Sequence, residues 1–195
     1  MIPAVRKEAF PFNWPINWLG LHREYLNVGE MEVIASILRD VEAKSVIELG
    51  CRDGRTARVL LHNVSAIHRY VGVDVTHDYA PALEHQRREM VVVPGELATA
   101  DPRFELIVRP RGSLDVTAEE LGTFDAAFID GDHSAPVVES DARLARAIVR
   151  PGGVIIFHDY FNGAVDVMTA VDGLHAEGWP IKSVEGTWLA FCMVE

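Results

Sequence analysis

Two short segments of this 195-residue chain gather the side chains best suited to chemistry. One reads Ile129-Asp-Gly-Asp-His-Ser134 and the other Phe157-His-Asp-Tyr160. Each continues an apolar run that reads as a buried strand. If those strands are neighbours, Asp130, Asp132, His133, His158 and Asp159 converge. Carboxylate oxygens suit hard divalent cations, and imidazole suits transition metals. The same groups can move protons, because an imidazole titrates near neutral pH. A hydrogen-bonded polar rim with neither role is the plain alternative.

A third segment, Val46-Ile-Glu-Leu-Gly-Cys-Arg-Asp-Gly54, runs from a strand through a tight loop into a helix. Glycine there lets the backbone turn sharply and lets a ligand come close. The helix start offers free N–H groups. The spacing is Glu-x-Gly-x-x-x-Gly, not the Gly-x-Gly-x-x-Gly of dinucleotide sites, and Arg52 falls where such a loop wants glycine. That argues against a nicotinamide dinucleotide. Asp74 ends the next strand, where an acid can accept hydrogen bonds from both hydroxyls of a ribose. Loop and acid together indicate a nucleoside ligand.

These residues need a scaffold that sets strand ends side by side. Met31, Ile34, Leu38 and Val41 recur at helical spacing, as do Ala57, Leu60, Leu61 and Val64. Strands are expected at Ser45 to Leu49, Tyr70 to Val73, Phe104 to Val108, Phe124 to Ile129 and Val154 to Phe157. A helix is expected over Asp78 to Glu89. Another is capped by Ser134 and stopped by Pro151-Gly152-Gly153, and a third starts at Asn162. Ile181 to Val184 and Thr187 to Val194 read as two strands joined through Glu185-Gly186. Alternating strands and helices with continuous apolar strands predict an α/β fold with a mostly parallel sheet. About seven strands are expected, one antiparallel near the C-terminus, with helices on both faces. Ligands of such sheets sit at the carboxyl ends of the strands.

Residues 1–28 read as an N-terminal arm or lid, and 29–195 as the domain proper. The arm is rich in Pro and aromatics, including Trp14 and Trp18. It would suit a lid, a homodimer contact or a strap packed on the core. Trp14, Trp18 and Tyr160 could line an acceptor pocket. The formal net charge of −11 disfavours nucleic acid and anionic membranes as partners. Arg103, Arg109 and Arg111 read as a solvated loop. No apolar run approaches the ~18–20 residues of a membrane helix. Met1 to Phe10 lacks a signal-peptide apolar core, so the cytoplasm is the default compartment. Cys51 and Cys192 fit neither a disulfide framework nor a zinc site.

The Glu-x-Gly loop, Asp74, Phe-Ile-Asp-Gly-Asp-His-Ser and Pro-Gly-Gly-Val-Ile-Ile-Phe-His-Asp-Tyr together resemble class I S-adenosylmethionine (SAM)-dependent methyltransferases. The nearest group is that of the antibiotic-tailoring and catechol-type small-molecule O-methyltransferases, over roughly Glu30 to Val194. The resemblance implies a Rossmann-like sheet, SAM as cofactor and a small-molecule methyl acceptor. It implies that Glu48, Gly50 and Gly54 shape the site for the methionine portion, with Cys51 and Arg52 beside it. It further implies that Asp74 binds the ribose and that Ser113 lies beside the adenine. Asp130 would lie next to the methionine end, and Asp130, His158 and Asp159 fall where metal-dependent members hold a divalent cation such as Mg2+. Two positions depart from that pattern. The catechol-type enzymes carry lysine at the place of His133, and an oxygen pair at the place of His158-Asp159. A metal-free enzyme and one using a softer ion both stay open.

The catalytic set is therefore His133, Asp130 and His158, with His133 as the base. Competing readings are a SAM-binding protein without catalysis, acting as sensor or partner subunit, an NAD-dependent oxidoreductase, and a metal-dependent hydrolase. The last leaves the Glu48 loop and Asp74 unexplained.

Overall fold

Strands that are apolar on both faces must be covered on both faces. The structure, a computed structural model, describes residues 2–195 apart from positions 13, 25 and 89, and without the side chain of His85. In chain order it forms β1 (Ala4–Val5), α1 (Glu30–Asp40), β2 (Ser45–Leu49), α2 (Arg55–Asn63), β3 (Arg69–Val75), β4 (Phe104–Arg109), α3 (Ala118–Leu121), β5 (Phe124–Ile129), α4 (Ala135–Ile148), β6 (Val149–Phe157), α5 (Val167–Ala176), β7 (Lys182–Val184) and β8 (Ala190–Met193). Along β6, Val154 and Ile156 join the core under α1 and α2. Ile155 and Phe157 join the opposite core with α4 and α5. The period-two alternation of strand side chains thus feeds two apolar layers from one sheet.

The sheet has eight strands in the order β1-β7-β8-β6-β5-β2-β3-β4. All pairings are parallel except those of β8, which runs antiparallel to β6 and β7. This is the expected Rossmann-like arrangement with one strand more than expected. The extra strand is β1, too short to show periodicity, held beside β7 by Ser183 N donating to Pro3 O and Glu185 N to Val5 O. From β2 the chain winds outward to β3 and β4, then returns to β5 on the other side of β2. Loops leaving β2 and β5 therefore diverge and open a crevice between them.

Several local expectations need correction. Of the helix expected over Asp78 to Glu89, only a 3-10 turn at Glu84–Arg88 forms, and Glu89 lies outside the described residues. Pro81 disfavours helical backbone at the residue before it. The segment's polar groups go to the crevice instead, with Tyr79 Oη donating to Asp132 and Gln86 Nε2 to Gly131 O. Pro151-Gly152-Gly153 does not precede β6 but lies inside it, where the register shifts against β5. Asn162 caps no helix; α5 starts at Val167, and Asn162 Nδ2 donates to Asp159 instead. The three arginines do not share one loop: Arg103 precedes β4, Arg109 ends it, and Arg111 lies exposed in the turn beyond. Arg103 pairs with Asp101, Arg109 with Glu120 and Arg111 with Asp115. Both cysteines are buried free thiols. Among the described residues no helix is long and apolar enough to cross a membrane.

One buried carboxyl makes the fold pH-sensitive. Asp141 of α4 is enclosed, and among the described residues neither of its oxygens has a partner in good hydrogen-bond geometry. Burial pushes it up to about 7, with Asp132 adding to the rise and the Ser113 hydroxyl opposing it. The folded chain thus binds this proton more tightly than the unfolded chain does. Its contribution to stability falls as pH rises from about 4 to about 7, by roughly 4 kcal/mol in total. Asp141→Asn is expected to raise the melting temperature at pH 8 and to leave it nearly unchanged at pH 4. Thermal unfolding at the two pH values checks this, and equal melting temperatures at pH 8 would contradict it.

Candidate functional site

The site begins where β2 runs out. Tyr70 Oη donates to Glu48 Oε2 at 3.0 Å, fixing a carboxyl that is only 1% exposed. Burial, reinforced by the charge of Asp130, lifts that carboxyl well above its ordinary range. A cationic ligand group would relieve the penalty. Gly50 follows at φ +90°, its N–H donating to Val73 O at 2.8 Å. A Cβ there would lie 2.3 Å from Gly131 Cα and 2.5 Å from Asp130 O. Only glycine lets the loops after β2 and β5 pass this closely.

Asp74 closes the other side of that loop. Its carboxylate accepts from Arg52 N and, at 2.7 Å, from Val75 N. Arg52 takes a left-handed backbone at φ +46°, which turns its N–H toward Asp74. Gly54, also left-handed, starts α2 without a side chain of its own to cap it, and the first helical N–H, that of Arg55, donates to Asp53 Oδ1 at 3.1 Å.

Ladder bonds carry the pattern to the second half of the site. Asp130 N donates to Leu49 O at 2.9 Å and His158 N to Ile129 O at 3.1 Å. The ends of β2, β5 and β6 therefore stay in step. His158 Nδ1 lies 3.2 Å from Asp130 Oδ1 and 3.1 Å from Asp159 Oδ2. Its Nε2 lies 3.1 Å from Glu30 Oε2. Burial opposes a charged ring, but Asp130, Asp159 and Glu30 outweigh it and hold His158 well above its ordinary value. An acceptor at each nitrogen favours the protonated ring.

His133 faces the same two carboxylates from the cavity side. Its Nε2 is 3.3 Å from Asp159 Oδ2 and 3.6 Å from Asp130 Oδ1. Both ring nitrogens are buried, and neither meets hydrogen-bond geometry. Burial lowers this imidazole's affinity for a proton, yet Asp130 and then Asp159 raise it on balance. Asp130, His133 and Asp159 place one ligand atom each within 4.8 Å of one another.

A cavity of about 460 Å³ joins the two halves, a volume ordinary for a small-molecule site. Glu48, Gly50, Cys51, Arg52, Asp74, Ser113, Asp130, His133, His158 and Asp159 all line it, while Gly54 sits just behind, against Gly95. Asp132 reaches the cavity but is committed to Tyr79 and Ser134. His158 stands behind the trio that could hold a cation, and His133 occupies the place expected for it there. Trp14, Trp18 and Tyr160 do not line the cavity; Trp188 and Leu26 do. Tyr160 is fully buried and donates to Asp172 at 2.7 Å. Glu30 was not legible as a site residue. The available signal was an acid on the apolar face of α1, beside Met31 and Ile34.

The family model described as methyltransferase domain matches residues 47–160. The chain belongs to the methyltransferase domain family. The match starts within β2, at Ile47, and ends at Tyr160, so it contains every cavity residue singled out above from the sequence. No curated protein matches the chain closely enough in sequence to stand as a relative. Solved structures match it in fold. Cofactor-bound Rv0187 from MTB is 22% identical, with a TM-score of 0.62 over 90% of this chain and 84% of that one. An O-methyltransferase from Bacillus cereus in complex with SAH is 16% identical, with a TM-score of 0.61 over 91% and 86%. The O-methyltransferase TomG from Streptomyces achromogenes, in complex with SAM, is 18% identical, with a TM-score of 0.58 over 87% and 81%. In this methyltransferase domain, the arm, α5, β7 and β8 lie outside the matched segment.

Proposed function

We propose that the chain is a SAM-dependent O-methyltransferase acting on a small hydroxylated acceptor. One observation carries this. A single cavity runs from two acids suited to a nucleoside sulfonium, Glu48 and Asp74, to an imidazole flanked by two carboxylates. The Bacillus cereus and Streptomyces structures, crystallised with SAH and SAM, support the cofactor. The net charge of −11 supports a small acceptor rather than nucleic acid.

In this reading Glu48 meets the methionine ammonium and Asp74 accepts from the ribose hydroxyls. Ser113 lies beside the adenine. The acceptor oxygen attacks the methyl carbon in line with the breaking carbon–sulfur bond, and sulfur keeps the electron pair. The methyl group is already activated, so the protein mainly aligns the two reactants and excludes water. The hydroxyl must lose its proton, and His133 Nε2 is the group placed to take it. Asp130 and Asp159 stabilise the imidazolium that results.

The buried imidazole of His133, which lies beside both carboxylates, also fits a divalent cation held with Asp130 and Asp159. A nitrogen in that set favours a transition ion over magnesium. Bound there, the ion would acidify the acceptor hydroxyl in the imidazole's place.

The test is transfer from methyl-labelled SAM to a panel of phenols, catechols and sugars, read by mass spectrometry. A labelled methyl on oxygen is the expected product. Label appearing on amines but on no hydroxyl would overturn the assignment to oxygen.

A further inference from the structure

We infer that Glu30 is a positioning residue for the acceptor end of the site, acting through His158. The inference rests on the methyl transfer proposed above, but Glu30 itself lies outside the family match. Its side chain is wholly buried at the start of α1. Oε2 accepts from Asn27 N at 2.6 Å and faces His158 Nε2 at 3.1 Å. Oε1 accepts from Trp188 N at 2.6 Å and Asn27 Nδ2 at 3.0 Å.

The Asn27 contacts brace the turn that leads through Gly29, the N-cap, into α1. That role needs nothing more. The other two contacts reach 128 and 158 residues along the chain, to the end of β6 and the β7–β8 turn. Both lead to the cavity, because His158 and Trp188 line it. The opposite nitrogen of His158 meets Asp130 Oδ1 and Asp159 Oδ2. Those same two oxygens flank His133 Nε2. Glu30 thus sets one rigid ring, the ring sets two carboxylates, and the carboxylates set the imidazole that faces the acceptor. Partners at this remove tune a site by about 10- to 100-fold where they have been measured on metal ligands.

Glu30→Gln keeps the volume and an oxygen for Trp188 N and Asn27 Nδ2, but turns a donor toward both His158 Nε2 and Asn27 N. Its kcat is expected to fall about 10- to 100-fold, with SAM affinity by calorimetry and KM for SAM within about twofold of wild type. Asn27→Ala, which weakens only that turn, is expected to lower the melting temperature and leave kcat in place. Equal kcat in Glu30→Gln and wild type overturns the inference, as does an equal loss in Asn27→Ala. If Glu30→Gln does not fold, Glu30→Asp replaces it, since its shorter carboxylate can brace the turn but not reach His158. The same fall in kcat is expected there, and wild-type kcat overturns the inference. A wild-type chain that methylates no hydroxyl defeats the proposed function instead. Crystal structures of the Glu30 variant and wild type then decide: His158 displaced from Asp130 and Asp159 supports the inference, and an unmoved ring overturns it.

Discussion

A His133→Ala chain is expected to bind SAM as tightly as wild type while its turnover falls by about 10²- to 10⁴-fold. In the proposed reading Glu48 and Asp74, not His133, hold the cofactor, so its affinity is expected to stay in place. What disappears is the acceptor for the hydroxyl proton. Asp130 and Asp159 cannot take over that task, because His158 Nδ1 already holds one oxygen of each. Burial favours a neutral Asp159, but His158 and His133 outweigh it and hold that carboxyl below its ordinary range, which weakens it as a base. His133→Lys is the informative companion, since the related catechol-type enzymes resemble this chain with lysine at that place. Steady-state kinetics with the acceptor found in the transfer assay, beside calorimetry with SAM, gives both readouts. Unchanged turnover in His133→Ala would remove His133 from the mechanism.

Gly50→Ala should act on fold and cofactor together. At φ +90° an L residue already pays for its Cβ. The added methyl would also lie 2.3 Å from Gly131 Cα and 2.5 Å from Asp130 O. Both are backbone atoms, so no side chain can swing aside to make room. Either the loop after β2 or the loop after β5 must move. Each move breaks a ladder bond, Gly50 N to Val73 O or Asp130 N to Leu49 O. Strain and overpacking together place the cost at about 3 kcal/mol or more. The same movement pulls Glu48 and Asp130 apart and opens the crevice wall. A lower melting temperature and loss of SAM binding are expected together. A Gly50→Ala protein that melts and binds like wild type would show that the two loops are not packed as described.

What could be read from the chain was governed by how local the signal is. Val154 to Phe157 is a continuous apolar run, and Ser45 to Leu49 and Phe124 to Ile129 are mostly apolar, as burial on both faces requires of a strand. The crevice follows from their order, so Glu48, Asp74, Asp130, His133 and Asp159 could be placed together before any coordinates. β1 was invisible because two residues carry no period; its partner β7 lies at the far end of the chain. The 78–89 segment looked helical, yet Tyr79 and Gln86 are used for long-range bonds that a propensity argument cannot see. The resemblance puts His158 among the metal ligands, while its contacts in the fold include Glu30, a residue 128 positions away. In sequence Glu30 is an acid at the start of α1, and only tertiary contacts bring it to the site.

The central claim is that the cavity between the β2 and β5 loops binds a sulfur nucleoside beside the Asp130–His133–Asp159 cluster. Isothermal titration of the wild-type chain with SAM, SAH and NAD tests it most directly. The account predicts saturable binding of SAM and SAH at one site per chain, lost in Asp74→Ala, and no binding of NAD. A folded chain that binds neither sulfur nucleoside would contradict it.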